Sequence, residues 1–396
     1  MNAKNLGEFR GDNSREIQSK IQSASEISSE IQNSRREFVK NSSKLAVASV
    51  AIGAMASVSP LLANANLARN ESKNLSNSKA SQNATNSNKG TTMTQNSQVW
   101  YITGASGGLG YELAKYLLEK GDKVAATSRK KGNLEKKFGD LAKSENFLAL
   151  TLTFDKNIDK QVAQNIKAIQ QKFGRLDNVV NNAGYGLLGF VEETSEKQLR
   201  EQFEVNVFAP FIVAQNALKI MRPQAVNEGG NAKSVKARIY NLSSIAGFRV
   251  PSVSTPYSMS KFALSALSEG LNLDLKDFGI ATINVMPGGF RTEFLGASVN
   301  LGELKIADYD KKREEFIKNT NAFNGKQAGN PAAFAKVIYE TSRQAKPPFH
   351  LFMGDAAYKS ARNKIEFVQN DMKVTESYAG KAVDFAGSAG SAFDKR

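Results

Sequence analysis

Four apolar residues, Val99, Trp100, Tyr101 and Ile102, run directly into Thr103-Gly104-Ala105-Ser106-Gly107-Gly108-Leu109-Gly110. Behind that loop Leu109, Leu113, Tyr116 and Leu117 recur at helical spacing. The order is strand, glycine turn, helix. Glycines let the backbone come close to a pyrophosphate, and the helix that follows offers free N–H groups and the positive end of its dipole. The ligand implied is a dinucleotide. Glycine loops also serve plain turns, so the weight of the reading comes from the strand before it and the helix after it.

Further strands end in residues that carry chemistry. Residues 123–127 form a second strand that closes on Ser128-Arg129, where an NAD-preferring site would carry an acidic residue for the ribose hydroxyls. Arg129, backed by Lys130 and Lys131, suits a ribose phosphate instead, so NADP(H) is expected over NAD(H); the alternative is a solvated basic turn. A third strand, residues 147–154, leads into Asp155, and a fourth closes on Asn181-Asn182-Ala183-Gly184, a sequence that also makes a good turn. The next helix holds Asn206 between Val205 and Val207, where a buried amide needs partners.

Residues 238–242 then form a strand that runs into Ser243-Ser244, and Tyr257-Ser258-Met259-Ser260-Lys261 follows after a short loop. Tyr257 and Lys261 are four apart and share a helix face. A lysine in that position lowers a phenol pKa by opposite charge and by hydrogen bonding to the ionised form, which permits proton exchange near neutral pH. A later apolar strand, residues 281–285, ends in Met286-Pro287-Gly288-Gly289-Phe290-Arg291-Thr292.

In this order the motifs resemble those of the short-chain dehydrogenase/reductase family. Gly104, Gly108 and Gly110 match the spacing of its cofactor loop, and Thr103, Ser106 and Leu109 come with them. Residues 181–184 resemble its Asn-Asn-Ala-Gly segment, Tyr257 and Lys261 its Tyr-x-x-x-Lys pair, and residues 287–292 its Pro-Gly-x-x-x-Thr segment. The resemblance spans about residues 99–353 and implies one Rossmann-fold, doubly wound parallel sheet of about seven strands flanked by helices, with cofactor at the topological switch point.

The resemblance also implies roles. Tyr257 acts as general acid in reduction or base in oxidation, and Ser244, rather than Ser243 on the opposite side of the strand, polarises the carbonyl oxygen. Lys261 stabilises the tyrosinate and holds the nicotinamide ribose, while Asn206 holds a relay water. Asp155 meets the adenine amino group, and Asn182, Ala183 and Gly184 line the cofactor. Pro287, Gly288 and Thr292 meet the nicotinamide end. The reaction expected is hydride transfer between NADP(H) and a lipophilic alcohol or carbonyl substrate. Association into dimers or tetramers through the fourth and fifth helices is implied as well. The rival reading is a catalytically idle NADP(H)-binding sensor or scaffold.

Composition removes other classes. The chain has 396 residues with no cysteine and one histidine, which excludes disulfides, thiol nucleophiles and multi-histidine metal sites. Phe349 and Leu351 beside His350 suggest that it packs in a strand. The formal charge of +15 comes from scattered lysines without an aromatic-interleaved stripe, so nucleic acid is not an expected partner.

Ahead of the dinucleotide unit, Ser34-Arg35-Arg36-Glu37-Phe38-Val39-Lys40 precedes an uncharged apolar stretch, residues 45–65, that closes on Ala63-Asn64-Ala65. Residues 1–65 read as a twin-arginine export signal, which would engage the export machinery and place the enzyme in the periplasm; a membrane anchor is the alternative. Residues 66–98 are an Asn/Ser-rich linker, the folded domain covers 99–385, and 386–396 form a flexible tail. Phe290, Phe294, Leu301, Tyr309 and Phe316 fit either an apolar lid over substrate or ordinary core.

Overall fold

The computed structural model describes residues 97–379. The expected export signal, the linker up to residue 96 and the tail from 386 lie outside the described residues. The first half runs β1 (Val99–Ile102), α1 (Gly108–Glu119), β2 (Lys123–Ser128), α2 (Lys131–Phe138), β3 (Phe147–Thr151), α3 (Ile158–Phe173) and β4 (Asn178–Asn181). The second runs β5 (Gly186–Leu188), α4 (Glu196–Phe203), α5 (Ala209–Asn227), β6 (Ala237–Leu242), α6 (Thr255–Leu275), β7 (Ile280–Pro287), β8 (Val299–Leu301), α7 (Asp310–Phe323), α8 (Pro331–Ser342), β9 (His350–Met353) and α9 (Asp355–Thr375).

Seven strands form one parallel sheet in the order β3-β2-β1-β4-β6-β7-β9, as expected. A parallel sheet is covered on both faces by its crossover helices, so its strands are apolar throughout rather than alternating. β1 shows the consequence: all four residues are buried, with Val99 and Tyr101 in the core under α3 and α5, and Trp100 and Ile102 in the core under α1 and α8. Chain order reverses between β1 and β4, which opens a crevice above their C-terminal ends.

Three local differences from the sequence reading have physical causes. β3 stops at Thr151 rather than continuing to residue 154. Asp155 accepts hydrogen bonds from the Thr153 hydroxyl (2.7 Å) and the Asn157 N–H (2.8 Å), and such local bonds compete with the strand ladder. Asn206 lies not in a regular α-helix but in a π-helical turn over Glu204–Phe208 that joins α4 to α5. Pro210, four residues on, has no N–H for the Asn206 carbonyl, which favours widening there. Residues 299–301, where sequence patterning fades, pair with β5 in a separate two-stranded sheet held by backbone bonds.

Candidate active site

The glycine loop is fastened to the end of β4 by reciprocal hydrogen bonds. The Thr103 hydroxyl accepts from the N–H groups of Asn182 and Ala183, each at 3.0 Å. The Asn182 amide donates to the carbonyls of Thr103 (2.8 Å) and Gly104 (2.9 Å). Both donors of Asn182, expected to face the cofactor, are thus spent on holding the loop. Gly104 has φ +67°, and a Cβ there would lie 2.9 Å from the Ala183 Cα. A Cβ on Gly110 would fall 2.3 Å from the Asn182 amide nitrogen.

Gly107 precedes α1 and supplies no capping side chain, and the first turn of α1 holds no acidic residue. Its N–H groups therefore remain available to an anion. Ser106 and Leu109 are half-buried on this loop. Across the crevice, Thr292 comes within 3.9 Å of the position a Gly108 Cβ would take, so the two ends of the expected cofactor site face each other. The Thr292 hydroxyl accepts from the Phe294 N–H at 3.3 Å, and the Gly288 N–H, next to Pro287, bonds the Met353 carbonyl at 3.0 Å.

At the end of β2 the Ser128 hydroxyl donates to the Lys130 carbonyl at 2.6 Å and is consumed by the turn. Lys131 pairs with Glu135, whereas Arg129 is exposed and makes no ion pair among the described residues. Asp155 is exposed, and hydrogen bonds from Thr153 and the Asn157 backbone hold its carboxyl below the usual range.

β6 and α6 bring Ser244, Tyr257 and Lys261 together. Tyr257 is 9% exposed, inside a small cluster with Leu188 and Ala246 and against Phe294 (ring centroids 5.7 Å apart), Val299 and Phe316. Ser244 hydrogen-bonds the Tyr257 side chain and also accepts from the Ala246 N–H at 3.1 Å. Ser243, by contrast, is turned inward to the Lys261 carbonyl (3.0 Å) and the Ser265 hydroxyl (2.9 Å). The Lys261 ammonium is buried, lies 5.8 Å from the centre of the Tyr257 ring, and donates to the Leu242 carbonyl at 2.7 Å.

Burial dominates the electrostatics of the pair. Burial pushes the Tyr257 phenol up to about 12, and the Ser244 hydrogen bond works only partly against it. Lys261 itself is pushed down to about 8 by desolvation. Desolvation is the leading influence on both groups in the ligand-free protein.

Asn206 is fully buried and its amide is satisfied by protein. It donates to the Tyr185 carbonyl (3.1 Å) and the Ser260 hydroxyl (3.0 Å) and accepts from the Tyr185 N–H (3.2 Å). Ser260 in turn donates to the Tyr257 carbonyl at 2.7 Å. A Cβ on Gly184 would sit 3.1 Å from the Asn206 side-chain oxygen Oδ1 and 3.5 Å from the Lys261 Nζ, which ties the β4 end to this group.

Sequence reasoning missed two supporting residues. Ser260 stands inside the Tyr-x-x-x-Lys motif, and its placement between motif residues was the only signal. Gln202 is fully buried and bonds the Tyr185 carbonyl (2.7 Å) and the Leu187 N–H (2.8 Å); a glutamine four residues before a singled-out asparagine was its faint trace. The five candidate lid residues divide. Phe294 and Phe316 cover Tyr257, Phe290 packs on Phe334 in the main core, and Leu301 is exposed. Tyr309 stacks on Phe190 at 4.2 Å. His350 stacks on Phe352, and burial holds its imidazole below the usual value. Among the described residues no cluster of His, Cys, Asp and Glu could hold a metal, and no helix is long and apolar enough to cross a membrane.

Residues 98–300 match the family model described as short chain dehydrogenase. The chain is 31% identical to oxidoreductase BOA17 of Botryotinia fuckeliana over 68% of this chain and 93% of that one. It is 30% identical to 3-ketodihydrosphingosine reductase of Bacteroides thetaiotaomicron over 65% of this chain and 88% of that one. Among solved structures it resembles a short-chain dehydrogenase from Streptomyces avermitilis at 28% identity and a TM-score of 0.62, covering 72% of this chain and 98% of that one.

Proposed function

The chain belongs to the short-chain dehydrogenase family and is an oxidoreductase of that type, and from that standing we propose that it transfers hydride between NADP(H) and a lipophilic alcohol or carbonyl compound. The observation that carries this reading is the convergence of Ser244, Tyr257 and Lys261, with Asn206 behind them, at the C-terminal edge of the sheet beside the glycine loop. The uncapped first turn of α1 and the exposed Arg129, which makes no ion pair among the described residues, fit a dinucleotide carrying a ribose phosphate, with Asp155 at the adenine and Thr292 at the nicotinamide end. Bound there, NADP(H) supplies or accepts the hydride.

The protein's own work is on the proton and the carbonyl. In reduction the Tyr257 hydroxyl, held protonated across neutral pH by its burial, donates its proton to the substrate oxygen as negative charge develops on it. The Ser244 hydroxyl donates a hydrogen bond to the same oxygen. Lys261, with its lowered affinity for a proton, lies beside the phenolate left behind and can return a proton to it downhill. Phe294, Phe316 and Leu188 keep water away from this exchange and favour an apolar substrate. The name of the Bacteroides relative, a reductase of a long-chain ketone, supports the same substrate class.

The test is oxidation of NADPH and of NADH by purified protein with a panel of ketones and aldehydes, beside a Tyr257→Phe control. Turnover lost in the control supports the reading; tight NADPH binding without turnover on any substrate overturns it in favour of a sensor. Arg35-Arg36 and the uncharged residues 45–65 support export of the folded enzyme to the periplasm, with cofactor loaded beforehand. Exported protein recovered without bound nucleotide would overturn the loading step. The exposed Phe211, Met259 and Phe262 on α5 and α6 suit a homo-oligomer.

A further inference from the structure

α9 is 21 residues long, about 31 Å at ~1.5 Å per residue, yet only its start is seated on the domain. Ala357 and Ala361 are buried, at 0% and 3% exposure, whereas every helix residue from Ile365 onward is exposed. The sequence does not turn polar where the helix leaves the domain. Ile365, Val368 and Met372 continue the face begun by Ala357 and Ala361 at spacings of three and four, and they are 47%, 40% and 64% exposed. Small residues occupy that face where it meets its own domain, and large ones where no described residue covers it. Such a stripe is the seam of a helix that packs against another helix.

We propose that this face of α9 pairs antiparallel with the same face of a second copy of the chain. An antiparallel two-fold pairing that sets Ile365 against the partner's Val368 also sets Lys364 opposite the partner's Asp371, and the symmetry makes that charge pair twice. A parallel pair in register would instead bring Asp371 beside the partner's Glu376, like against like. Phe367, Val374 and Tyr378, 48%, 78% and 70% exposed, lie beyond Lys364 and Asp371 and widen the surface a partner covers. An anionic bilayer is a poorer occupant. Lys359, Arg362, Lys364 and Lys373 are matched by Asp355, Glu366, Asp371 and Glu376, so the segment offers a membrane surface no net charge.

The test is sedimentation velocity on the full chain, with circular dichroism to confirm folding. Ile365→Asp combined with Met372→Asp is expected to halve the mass of the assembly. Lys364→Glu and Asp371→Lys are each expected to raise the dissociation constant tenfold or more, and the two together to restore it. An unchanged mass in the double aspartate variant overturns the proposal, and so does failure of the charge swap to rescue. Flotation of the protein with anionic vesicles, lost in the aspartate variant while its mass stays constant, would assign the face to a membrane instead.

Discussion

Where the glycine loop meets β4, backbone lies against backbone: Gly104 is packed on the Ala183 Cα, and the Asn182 amide is clamped between two carbonyls. Past β8, whose own pairing with β5 is made by backbone, the stretch around Tyr309 and Arg313 meets the rest of the protein through side chains. Tyr309 stacks on Phe190 and bonds Glu192, and Arg313 pairs with the buried Glu193. The first arrangement has no room for a different residue, because backbone cannot be moved aside locally. The second can be rebuilt one side chain at a time. A cofactor that never changes suits the first kind of wall, and a substrate that differs between relatives suits the second.

The sharpest break between the two walls is expected at the chemistry that lies between them. Tyr257→Phe should lower kcat by about a thousandfold, the scale of a lost general acid, while NADPH affinity measured by fluorescence titration stays within about twofold. An equal loss of affinity would mean that the tyrosine belongs to the cofactor wall.

Next in size is a stability effect from the buried lysine. Lys261 has a folded pKa near 8 against an ordinary 10.5, so the unfolded chain binds more protons between those values and stability rises with pH across that window. Tyr257, with its raised value, contributes the opposite trend only above pH 10, where stability falls toward 12. Urea unfolding at pH 7.5 and 9.5 should therefore show the native protein gaining about 1–2 kcal/mol relative to Lys261→Met, at ~1.4 kcal/mol per pH unit. No difference in slope would mean that the ammonium is solvated in solution.

Gly110→Ala tests the cofactor wall itself. With its Cβ 2.3 Å from the Asn182 amide, the variant should lose about tenfold to a hundredfold in NADPH affinity through overpacking and keep its substrate KM. Arg129→Glu should lower the ratio of NADPH to NADH efficiency about tenfold, the worth of one charge-assisted hydrogen bond, without altering substrate range. The smallest effect is expected from Tyr309→Phe, which removes only the bond to Glu192 and keeps the stack on Phe190. Substrate KM should change about twofold and NADPH affinity not at all, as read by steady-state kinetics. A larger effect on NADPH than on substrate would dissolve the distinction between the walls.

Legibility in the sequence followed the same division. Strand β1, the loop from Thr103 to Gly110 and the Tyr257/Lys261 pair could be read because their chemistry depends on residue type at a fixed local spacing. The choice of Ser244 over Ser243 rested on strand alternation and on a family-like separation from Tyr257, and the structure turns the two hydroxyls to different sides. β8 could not be read, since its pairing with β5 uses backbone groups that every residue carries. Gln202 and Ser260 escaped notice because a buried polar residue is recognised by its partners, and those lie far away in sequence.

The sequence by itself determined the order of the main-sheet strands, the glycine loop, and which residue types stand at the strand ends, because periodicity and backbone freedom are properties of adjacent residues. Only the tertiary structure decided that burial raises Tyr257 and lowers Lys261, that the Asn182 donors serve the loop, and that Phe294 and Phe316 cover the tyrosine while Phe290 joins the main core. Desolvation and packing depend on every group that surrounds a side chain, and that surrounding exists only once distant segments have come together.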